Sequence, residues 1–333
     1  MILWSLRSFR CSNMKTRYTK RTVLSFSIPA TFALLWIVIS LSPILSRRAS
    51  FSEIEERAKR VDTHEYAHPF LATFKVFDEI GYVEYDGKEI GLSDIQNLSQ
   101  YDEIEVLHFS RCTFTPDAIA AIPGLPSPFG LILSDSEISP ELFTSICSLE
   151  GIVEIEFLSC SMETVSFENL STLKELESLS FAYSVISDTA LHESIKELTN
   201  LHALSFRGVN SIDDWEIPHE AIARLRFLDM SNTNLDDQGC KVMARCHNLQ
   251  TLILQGTPIS DEGIRYLPSR VNELNLSRTQ VSPEGLKQLG CRNYLCSITV
   301  SGSESDFSFL WDFPNIESVS ISPPLTTPEI PYQ

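Results

Sequence analysis

A short hydrophobic pattern recurs along this chain at intervals of 21 to 25 residues. In each copy two apolar positions flank one variable position, as in LESLSF at 176–181, LHALSF at 201–206 and LQTLIL at 249–254. Such alternation is typical of a strand with one buried face, and about 24 residues leave room for a connection to a parallel neighbour. The pattern therefore predicts a stack of parallel strands.

We define the anchor of each copy as the second apolar residue of the six-residue motif, which is Leu179 in LESLSF. The anchor and the residue two positions later are predicted to point into the core, whereas the residues just before and just after the anchor point to the opposite face. Eleven anchors follow from the sequence: Val83, Leu107, Leu131, Ile155, Leu179, Leu204, Leu228, Leu252, Leu274, Ile298 and Val319.

The segments between the strands begin with a helix-capping residue in most copies. Ser, Thr or Asp is followed by Pro or Asp, which is typical of an N-cap and a first helical turn. Apolar pairs three or four residues apart come next, so short outer helices are predicted to pack on the same core. The predicted caps are Ser93, Thr115, Ser139, Ser187, Asp236, Ser260 and Ser282.

The whole unit, seen from Leu252 to Ile264, resembles the leucine-rich repeat family. Residues 235–254 are most similar to its cysteine-containing, ribonuclease-inhibitor-like branch. The segment FKVFDEIGYVEYDG, which leads into the first strand, resembles that of bacterial membrane-anchored members. The resemblance implies an α/β fold, a right-handed solenoid of about eleven parallel strands with short outer helices over residues 81–322.

An uncharged stretch precedes the repeats. The 23 residues Val23 to Leu45 contain no charge, and at about 1.5 Å per helical residue they match a hydrocarbon core of roughly 30 Å. We expect a transmembrane signal-anchor helix over residues 22–46, although a cleavable signal peptide is the alternative. The basic tail, residues 1–21, is predicted to be cytoplasmic and the repeats extracytoplasmic. Met14 is an alternative start.

Two flanking segments are predicted to close the repeat array. Residues 47–80 should form a juxtamembrane helix and an N-terminal cap, in which Gly81 ends the last helix. The apolar residues of that helix are Phe70, Phe74, Phe77 and Ile80. Residues 323–333 form a C-terminal tail that cannot add a strand, because proline has no backbone N–H to donate. Its prolines are Pro323, Pro324, Pro328 and Pro331.

The charge of the chain argues against nucleic acid as a partner. The 26 Lys and Arg against 44 Asp and Glu give a net charge of −18. Residues 1–50 contain eight basic residues and no acidic one, which leaves −26 on the remainder. Affinity for nucleic acid depends on cationic neutralisation of phosphates. A general phosphate-binding surface is therefore not expected.

One motif has the spacing of a zinc hydrolase. His64, Glu65 and His68 form H-E-x-x-H, which on a helix offers two zinc ligands and a base. Pro69 follows directly, and the short segment before the repeats leaves no room for a catalytic domain. We interpret the motif as part of a helix that begins near Ser52, and zinc hydrolysis stays a remote alternative. The sequence indicates no catalytic, cofactor-binding or metal-binding residue.

Seven of the eight cysteines follow the predicted membrane segment, and an odd number cannot all pair. Cys112 and Cys160 occupy an inward position of the repeat, and Cys240 and Cys246 fall on one outer helix, so buried thiols are expected there. A disulfide between residues 291 and 296 is left open. The acidic pairs at 213–214 and 236–237 are predicted to cap outer helices.

The concave face of the solenoid is the predicted binding surface. Phe227 and Ile253 are expected to be exposed on adjacent strands, with polar residues around them, as in many interface hot spots. The candidate partner-binding residues are Arg207, Phe227, Asp229, Ile253 and Gln255. The sequence favours a membrane-tethered, non-enzymatic scaffold that binds a protein or peptide. A structural envelope protein without a discrete ligand is the alternative.

Overall fold

Eleven parallel strands and one antiparallel strand form a single sheet in the computed structural model, which describes residues 49–64, 79–101, 104–126, 130–186, 190–210, 221 and 223–323. In order across the sheet these are β1 (Arg60–His64), β2 (Glu79–Asp86), β4 (Ile104–Ser110), β6 (Gly130–Ser134), β7 (Glu154–Leu158), β9 (Ser178–Ser180), β11 (Ala203–Ser205), β12 (Phe227–Asp229), β13 (Thr251–Ile253), β14 (Glu273–Asn275), β15 (Ser297–Ser301) and β16 (Ser318–Ser322). Two-residue strands form two further parallel pairs, β3 (Glu89–Ile90) with β5 (Thr113–Phe114) and β8 (Ser161–Met162) with β10 (Val185–Ile186).

The eleven predicted anchors pair with one another in one row across the sheet. Val83 lies opposite Leu107, and the same pairing continues strand by strand to Val319. The first ten anchors are buried, and Val319 on the last strand is half-buried. The predicted register of the parallel sheet is therefore confirmed.

Aromatic side chains stack along the second inward row, two residues after the anchors. The rings of Phe157, Phe181 and Phe206 are nearly parallel, with centroids 5.6 and 5.7 Å apart. Strand spacing of about 4.8 Å brings equivalent side chains of neighbouring strands to this distance. From the outer connections, the Phe167 ring lies nearly perpendicular to the Phe181 ring and the Phe143 ring is tilted by 39° to the Phe157 ring, and both close the core from the other side.

The outer connections contain short α-helices, single 3-10 turns or both. The α-helices are Leu92–Leu98, Pro116–Ala121, Pro140–Ile146, Ala190–Glu197, Asp237–Met243, Pro283–Leu286 and Glu304–Phe307. The 3-10 turns are Ile122–Gly124, Phe167–Thr172, Gly263–Tyr266 and Ser308–Asp312.

Most predicted helix caps are confirmed. Side-chain oxygens of Thr115, Ser139, Asp236 and Ser282 accept N–H groups of the first turn. Ser93 is an exception: the Asp94 carboxylate accepts the Gly91 N–H at 2.8 Å, so the helix begins at Leu92 with Gly91 as its cap. Ser260 precedes a 3-10 turn and accepts the Glu262 N–H at 3.2 Å. Ser187 lies outside the described residues.

The N-terminal end differs from the prediction. Residues 49–57 are helical, but Arg60–His64 form β1, which pairs antiparallel with β2. The predicted helix from Ser52 through His68 is therefore wrong at residues 60–64, because the backbone groups of β1 bond to the edge of β2. Gly81 lies inside β2 and does not end a helix. The predicted helix residues 70, 74 and 77 lie outside the described residues.

The predicted membrane segment, residues 22–46, lies outside the described residues, as do the basic tail and most of the proline-rich tail. Among the residues that are described, no helix combines the length and the apolar character that a membrane crossing requires. The anchor and the orientation of the chain therefore stay predictions.

The predicted buried thiols are confirmed. Cys112 and Cys160 are buried at the start of the outward connections, where their thiols donate to backbone carbonyls, as at 3.3 Å from Cys160 Sγ to Leu133 O. Cys240 and Cys246 are also buried, and burial raises the pKa of each thiol to about 12. Cys291 and Cys296, whose pairing the sequence left open, are free thiols in the structure.

Candidate partner-binding face

The side of the sheet opposite the core is the open face, which we define by the residues immediately before and after each anchor. On β13 the anchor Leu252 is fully buried, whereas Thr251 and Ile253 on either side of it are half-buried. Several central positions of the open face are small, which leaves the backbone close to the surface. They are Gly130, Ser178, Ser180, Ala203 and Ser205.

The apolar part of the predicted patch is present on β12 and β13. Phe227 pairs with Thr251, and Asp229 pairs with Ile253, so Phe227 and Ile253 are diagonal neighbours on the open face. The sequence had predicted that both side chains are exposed, but in the structure both are half-buried. Neighbouring side chains along the ladder cover part of each one. The patch therefore offers less apolar surface than predicted.

Asp229 is not a rim residue of this patch. Its side chain is buried, and its Oδ1 accepts the Ser231 N–H at 2.8 Å and the Ser231 hydroxyl. Burial raises the pKa of Asp229, while the hydrogen bonds from Ser231 oppose that shift. The carboxylate shapes the turn that follows β12. We therefore correct its predicted role in partner binding.

Arg207 is exposed and is directed toward a residue that the sequence did not suggest. Its Nε donates to the Tyr183 hydroxyl at 2.9 Å, and its guanidinium carbon lies 5.4 Å from the centroid of the Tyr183 ring. Gln255 has a polar neighbour on the next strand, because Asn275 Nδ2 donates to Gln255 Oε1 at 3.4 Å. Arg207 and Gln255 thus remain polar groups at the rim of the open face.

Tyr183 is an exposed aromatic residue in a fixed position. It is 45% exposed and has a left-handed backbone with φ of 57°. Its ring lies on Gly208, where an added Cβ would come within 2.3 Å of Tyr183 Cδ1. Val185, two residues later, is 47% exposed. Sequence reasoning missed this pair because it searched only positions −1, +1 and +3 from each anchor.

A left-handed residue recurs four positions after the anchor. Such backbone is unfavourable for side chains other than glycine, by roughly 1–2 kcal/mol per residue. The repeated turn that sends the chain from the sheet to the outer connection enforces it. The residues concerned are Gly87, Arg111, Asp135, Ser159, Tyr183, Gly208, Asn232, Gly256, Arg278 and Gly302. Four glycines at this position were a usable sequence signal.

Two carboxylates lie close together on β7. Glu154 and Glu156 flank the anchor Ile155 on the open face, and the Ser178 hydroxyl donates to Glu154 Oε1 at 3.4 Å. Burial, followed by the neighbouring Glu156, raises the pKa of Glu154 to about 7. Burial also raises the pKa of Glu156. This part of the face is acidic and carries a carboxyl group that titrates near neutrality.

A polar chain crosses the first three parallel strands. His108 Nδ1 lies 2.8 Å from the Tyr82 hydroxyl, and His108 Nε2 lies 2.9 Å from the Ser134 hydroxyl. Burial lowers the pKa of His108 and raises that of Tyr82 to about 12, so the imidazole and the phenol are both neutral at pH 7. Ser134 is buried, so its hydroxyl cannot meet a substrate. The chain of hydrogen bonds joins the strands.

The helix on which the zinc interpretation of His64-Glu65-His68 depends is not present at His64. His64 ends strand β1, so the helical spacing that would bring both imidazoles to one metal is not present there. Residues 65–68 lie outside the described residues. Across the part of the chain that the structure describes, no group of three or more His, Cys, Asp or Glu side chains could hold a metal ion.

Comparisons with known proteins agree with this geometry. Residues 245–267 match the family model described as a leucine-rich repeat. No curated protein matches this chain in sequence. A chain in the structure of the Toll–Spatzle complex from Drosophila has a TM-score of 0.51 and 15% identity, and it covers 73% of this chain and 35% of its own length. That likeness shows the fold.

Two further solved structures are similar at lower scores. The internalin inlF from Listeria monocytogenes has a TM-score of 0.45 and 19% identity, with coverage of 70% of this chain and 65% of the internalin. The ectodomain of the plant receptor kinase GASSHO1/SCHENGEN3 from Arabidopsis thaliana has a TM-score of 0.45 and 16% identity, with coverage of 73% of this chain and 30% of the ectodomain chain. This chain thus spans less than two thirds of these structures. Residues 245–267 thus match a leucine-rich repeat, and the register of parallel strands is that of a leucine-rich repeat fold.

Proposed function

We propose that this chain is a membrane-tethered, non-enzymatic scaffold that binds a protein or peptide on the concave, open face of its repeat sheet. The observation that carries the proposal is Tyr183, an exposed aromatic side chain in the turn after β9, at one edge of this face, which Arg207 and Gly208 hold in place. Tyrosine and arginine are among the residues that contribute most to interface energy. A side chain that is already ordered loses little entropy on binding.

Neighbouring residues extend this rim into a larger contact area. Val185, two residues after Tyr183, is a second exposed apolar side chain, and Phe227 and Ile253 add half-buried apolar surface on β12 and β13. Stacked repeats are suited to display such an extended surface to a macromolecule. A protein or peptide is therefore the partner class that we favour.

The tether is proposed from the sequence. No charge occurs between Arg21 and Arg47, and the basic residues before this stretch favour a cytoplasmic N-terminus. A reporter fused after Gln333 should then behave as extracytoplasmic, with the chain retained in membranes. Recovery of a soluble chain that begins near residue 47 would indicate cleavage. We also infer the cysteine-containing branch of the family from residues 235–254, in which Cys240 and Cys246 are buried.

Crosslinking from the rim tests the binding role. A photoreactive phenylalanine analogue at position 185, two residues after Tyr183, should capture a partner in cells that express the full chain. Arg207→Ala should reduce that capture by about tenfold or more, as expected for a hot-spot residue. Arg226→Ala is the matched control, because Arg226 is an exposed arginine on the neighbouring strand approach and should leave capture unchanged. Equal capture by all variants, or none, would contradict the proposal and favour a structural envelope role.

A further inference from the structure

The last strand of the sheet has a free edge. β16 pairs with β15 over five residues, from Ser297 opposite Ser318 to Ser301 opposite Ser322. Among the described residues, no strand pairs with its other side. The N–H and C=O groups on such an edge can form hydrogen bonds with an added strand. β16 is therefore open to strand addition.

The core is also uncovered at this end. Val319 and Ile321 point inward from β16 but are half-buried, whereas the equivalent Ile298 and Val300 on β15 are buried. Trp311, in the last outer connection, is 59% exposed, more than any other large apolar side chain that the structure describes. Solenoids require a polar cap at each terminal repeat to remain soluble. The free edge is thus continuous with apolar surface.

The opposite edge of the sheet shows how this chain protects a strand. β1 carries the paired charges Arg60 and Asp62, whose side chains bond to each other, and its pairing register shifts between Asp62 and Thr63. Charges and irregular pairing prevent strand addition. The sequence of β16, SVSIS, contains no charge and no proline, and its pairing with β15 is regular. β16 lacks the protection that β1 has.

The residues that follow β16 are poorly suited to cover it. Pro323 and Pro324 come directly after the strand, and Pro328 and Pro331 are close behind. Each proline lacks the N–H that a strand needs for pairing. An external strand fits this edge better.

We propose that the free edge of β16 pairs with β16 of a second copy of this chain. The strand sequence is symmetric about Ser320, so a two-fold axis beside Ser320 places Ser318 opposite the partner's Ser322. The same axis places Val319 opposite the partner's Ile321. Antiparallel pairing puts directly opposed residues on the same side of a sheet. Serines therefore meet on the open face, and apolar side chains meet on the core side.

The pairing accounts for both the free backbone edge of β16 and the incomplete burial of its inward side chains. It satisfies the edge backbone groups, and it covers Val319 and Ile321 with the same residues of the second copy. A two-fold interface of this type uses one surface patch on both copies and closes after two. Five paired residues on each copy bury much less surface than a standard protein interface, which buries about 800 Å² per partner. We therefore expect a dimer that dissociates on dilution. This inference is independent of the ligand of the open face.

Cysteine crosslinking of the full chain tests the pairing. In an antiparallel pair the two Ser320 Cα atoms lie about 4.5–5.5 Å apart, which a disulfide can span. Ser320→Cys should therefore give a covalent dimer under mild oxidation, above the background of the unsubstituted chain. Thr299→Cys is the matched control on the same face of β15, because its two copies are about 14 Å apart, three strand spacings. It should remain monomeric on a non-reducing gel.

A second variant measures the association without a crosslink. Ser320→Lys places two ammonium groups at the axis and should convert the dimer to a monomer in light scattering, whereas Thr299→Lys should not. Equal crosslinking of the two cysteine variants, or a monomer at every concentration, would overturn the proposal. If removal of residues 324–333 creates a dimer that the full chain does not form, the tail covers the edge and the proposal is also wrong.

Discussion

Asp237 binds Ser260 of the following repeat through both of its carboxylate oxygens. Oδ1 accepts the Ser260 N–H at 2.8 Å, and Oδ2 accepts the Ser260 hydroxyl at 2.6 Å. Asp261 and Ser282 form the same link in the next repeat, at 2.7 and 2.6 Å. The sequence had predicted Asp237 to cap its own helix together with Asp236. Asp236 does so, whereas Asp237 joins two outer connections.

Asp237→Asn should weaken the protein in a pH-dependent way. Burial alone would raise the pKa of Asp237, but the hydrogen bonds from Ser260 and Gly263 outweigh it and hold the pKa below its usual range. A lowered pKa means that the carboxylate stabilises the fold above its ordinary pKa and that this contribution is lost as the pH falls through the lowered value. The variant should therefore melt at a lower temperature at pH 7, and the difference should shrink toward pH 2.

Asp117→Asn is the control for this measurement. Asp117 also lies in the first turn of an outer helix, but the described residues donate no hydrogen bond to its side chain. Its melting temperature should stay within about 1 °C of the unsubstituted protein, as for most surface substitutions. A difference for Asp237→Asn that persists unchanged at pH 2 would show that the carboxylate charge is not the cause.

Gly263→Ala should disrupt the hydrogen bonds between Asp237 and Ser260 by displacing the Asp237 carboxylate. An added Cβ would lie 2.3 Å from Asp237 Oδ1 and 3.0 Å from Ile259 Cγ2, so the carboxylate must move. We expect a loss of about 1–3 kcal/mol in the free energy of unfolding, measured with urea. Gly290→Ala is the control, because a Cβ there meets nothing within 4 Å. Equal stability of the two variants would contradict the role of this contact.

Ser159→Gly should stabilise the protein. Ser159 has a left-handed backbone with φ of 55° at the recurrent turn position, and its side chain is exposed. Glycine removes the strain of a Cβ there, although it also adds freedom to the unfolded chain. We expect a net gain of about 0.5–1 kcal/mol in urea unfolding. Ser161→Gly, in strand β8, is the control and should lower stability. If Ser159→Gly also lowers stability, the turn does not strain the Ser159 side chain.

Much of the fold follows from the sequence because the core depends on a repeated spacing. All eleven anchors are in register, since a shift by one residue would turn each apolar side chain to the other face. Strand β1 was not predicted, because its charged sequence RVDTH has no apolar pattern and its pairing depends on the free edge of β2. Helix caps were predictable where a side chain bonds within its own turn.

The candidate site was less predictable for a physical reason. Position relative to the anchor tells which face a side chain points to, but not which loop group it contacts. Asp229 was therefore assigned to the rim, although Ser231 of the next turn binds it. Tyr183 was missed because its exposure depends on a left-handed turn and on Gly208 of the next repeat. Contacts between repeats determine both residues.

Glu154→Gln should change how stability depends on pH. Burial raises the pKa of Glu154 to about 7, so the folded protein binds this proton more tightly than the unfolded chain. Stability contributed by the protonated form is complete below the ordinary pKa of 4.5 and is lost as the pH rises to about 7. The variant should be more stable than the parent above pH 7, by on the order of 1–3 kcal/mol.

Thermal melting from pH 4 to pH 8 measures this difference. The two proteins should have similar stability at pH 4, where Glu154 is protonated. Glu273→Gln, on the exposed end of β14, is the control and should give no such pH-dependent gain. A constant difference between Glu154→Gln and the parent at every pH would exclude a buried titrating carboxyl group.

Urea unfolding of two neighbouring variants tests the central claim most directly, namely that one row of each strand forms the core and the other forms the open face. Leu252 is fully buried, so Leu252→Ala should cost about 2–5 kcal/mol through lost burial and the cavity that remains. Ile253 is half-buried on the open face, so Ile253→Thr should cost less than about 1 kcal/mol. If Ile253→Thr is the more damaging change and Leu252→Ala has little effect, the two faces are interchanged and the proposed binding face is wrong.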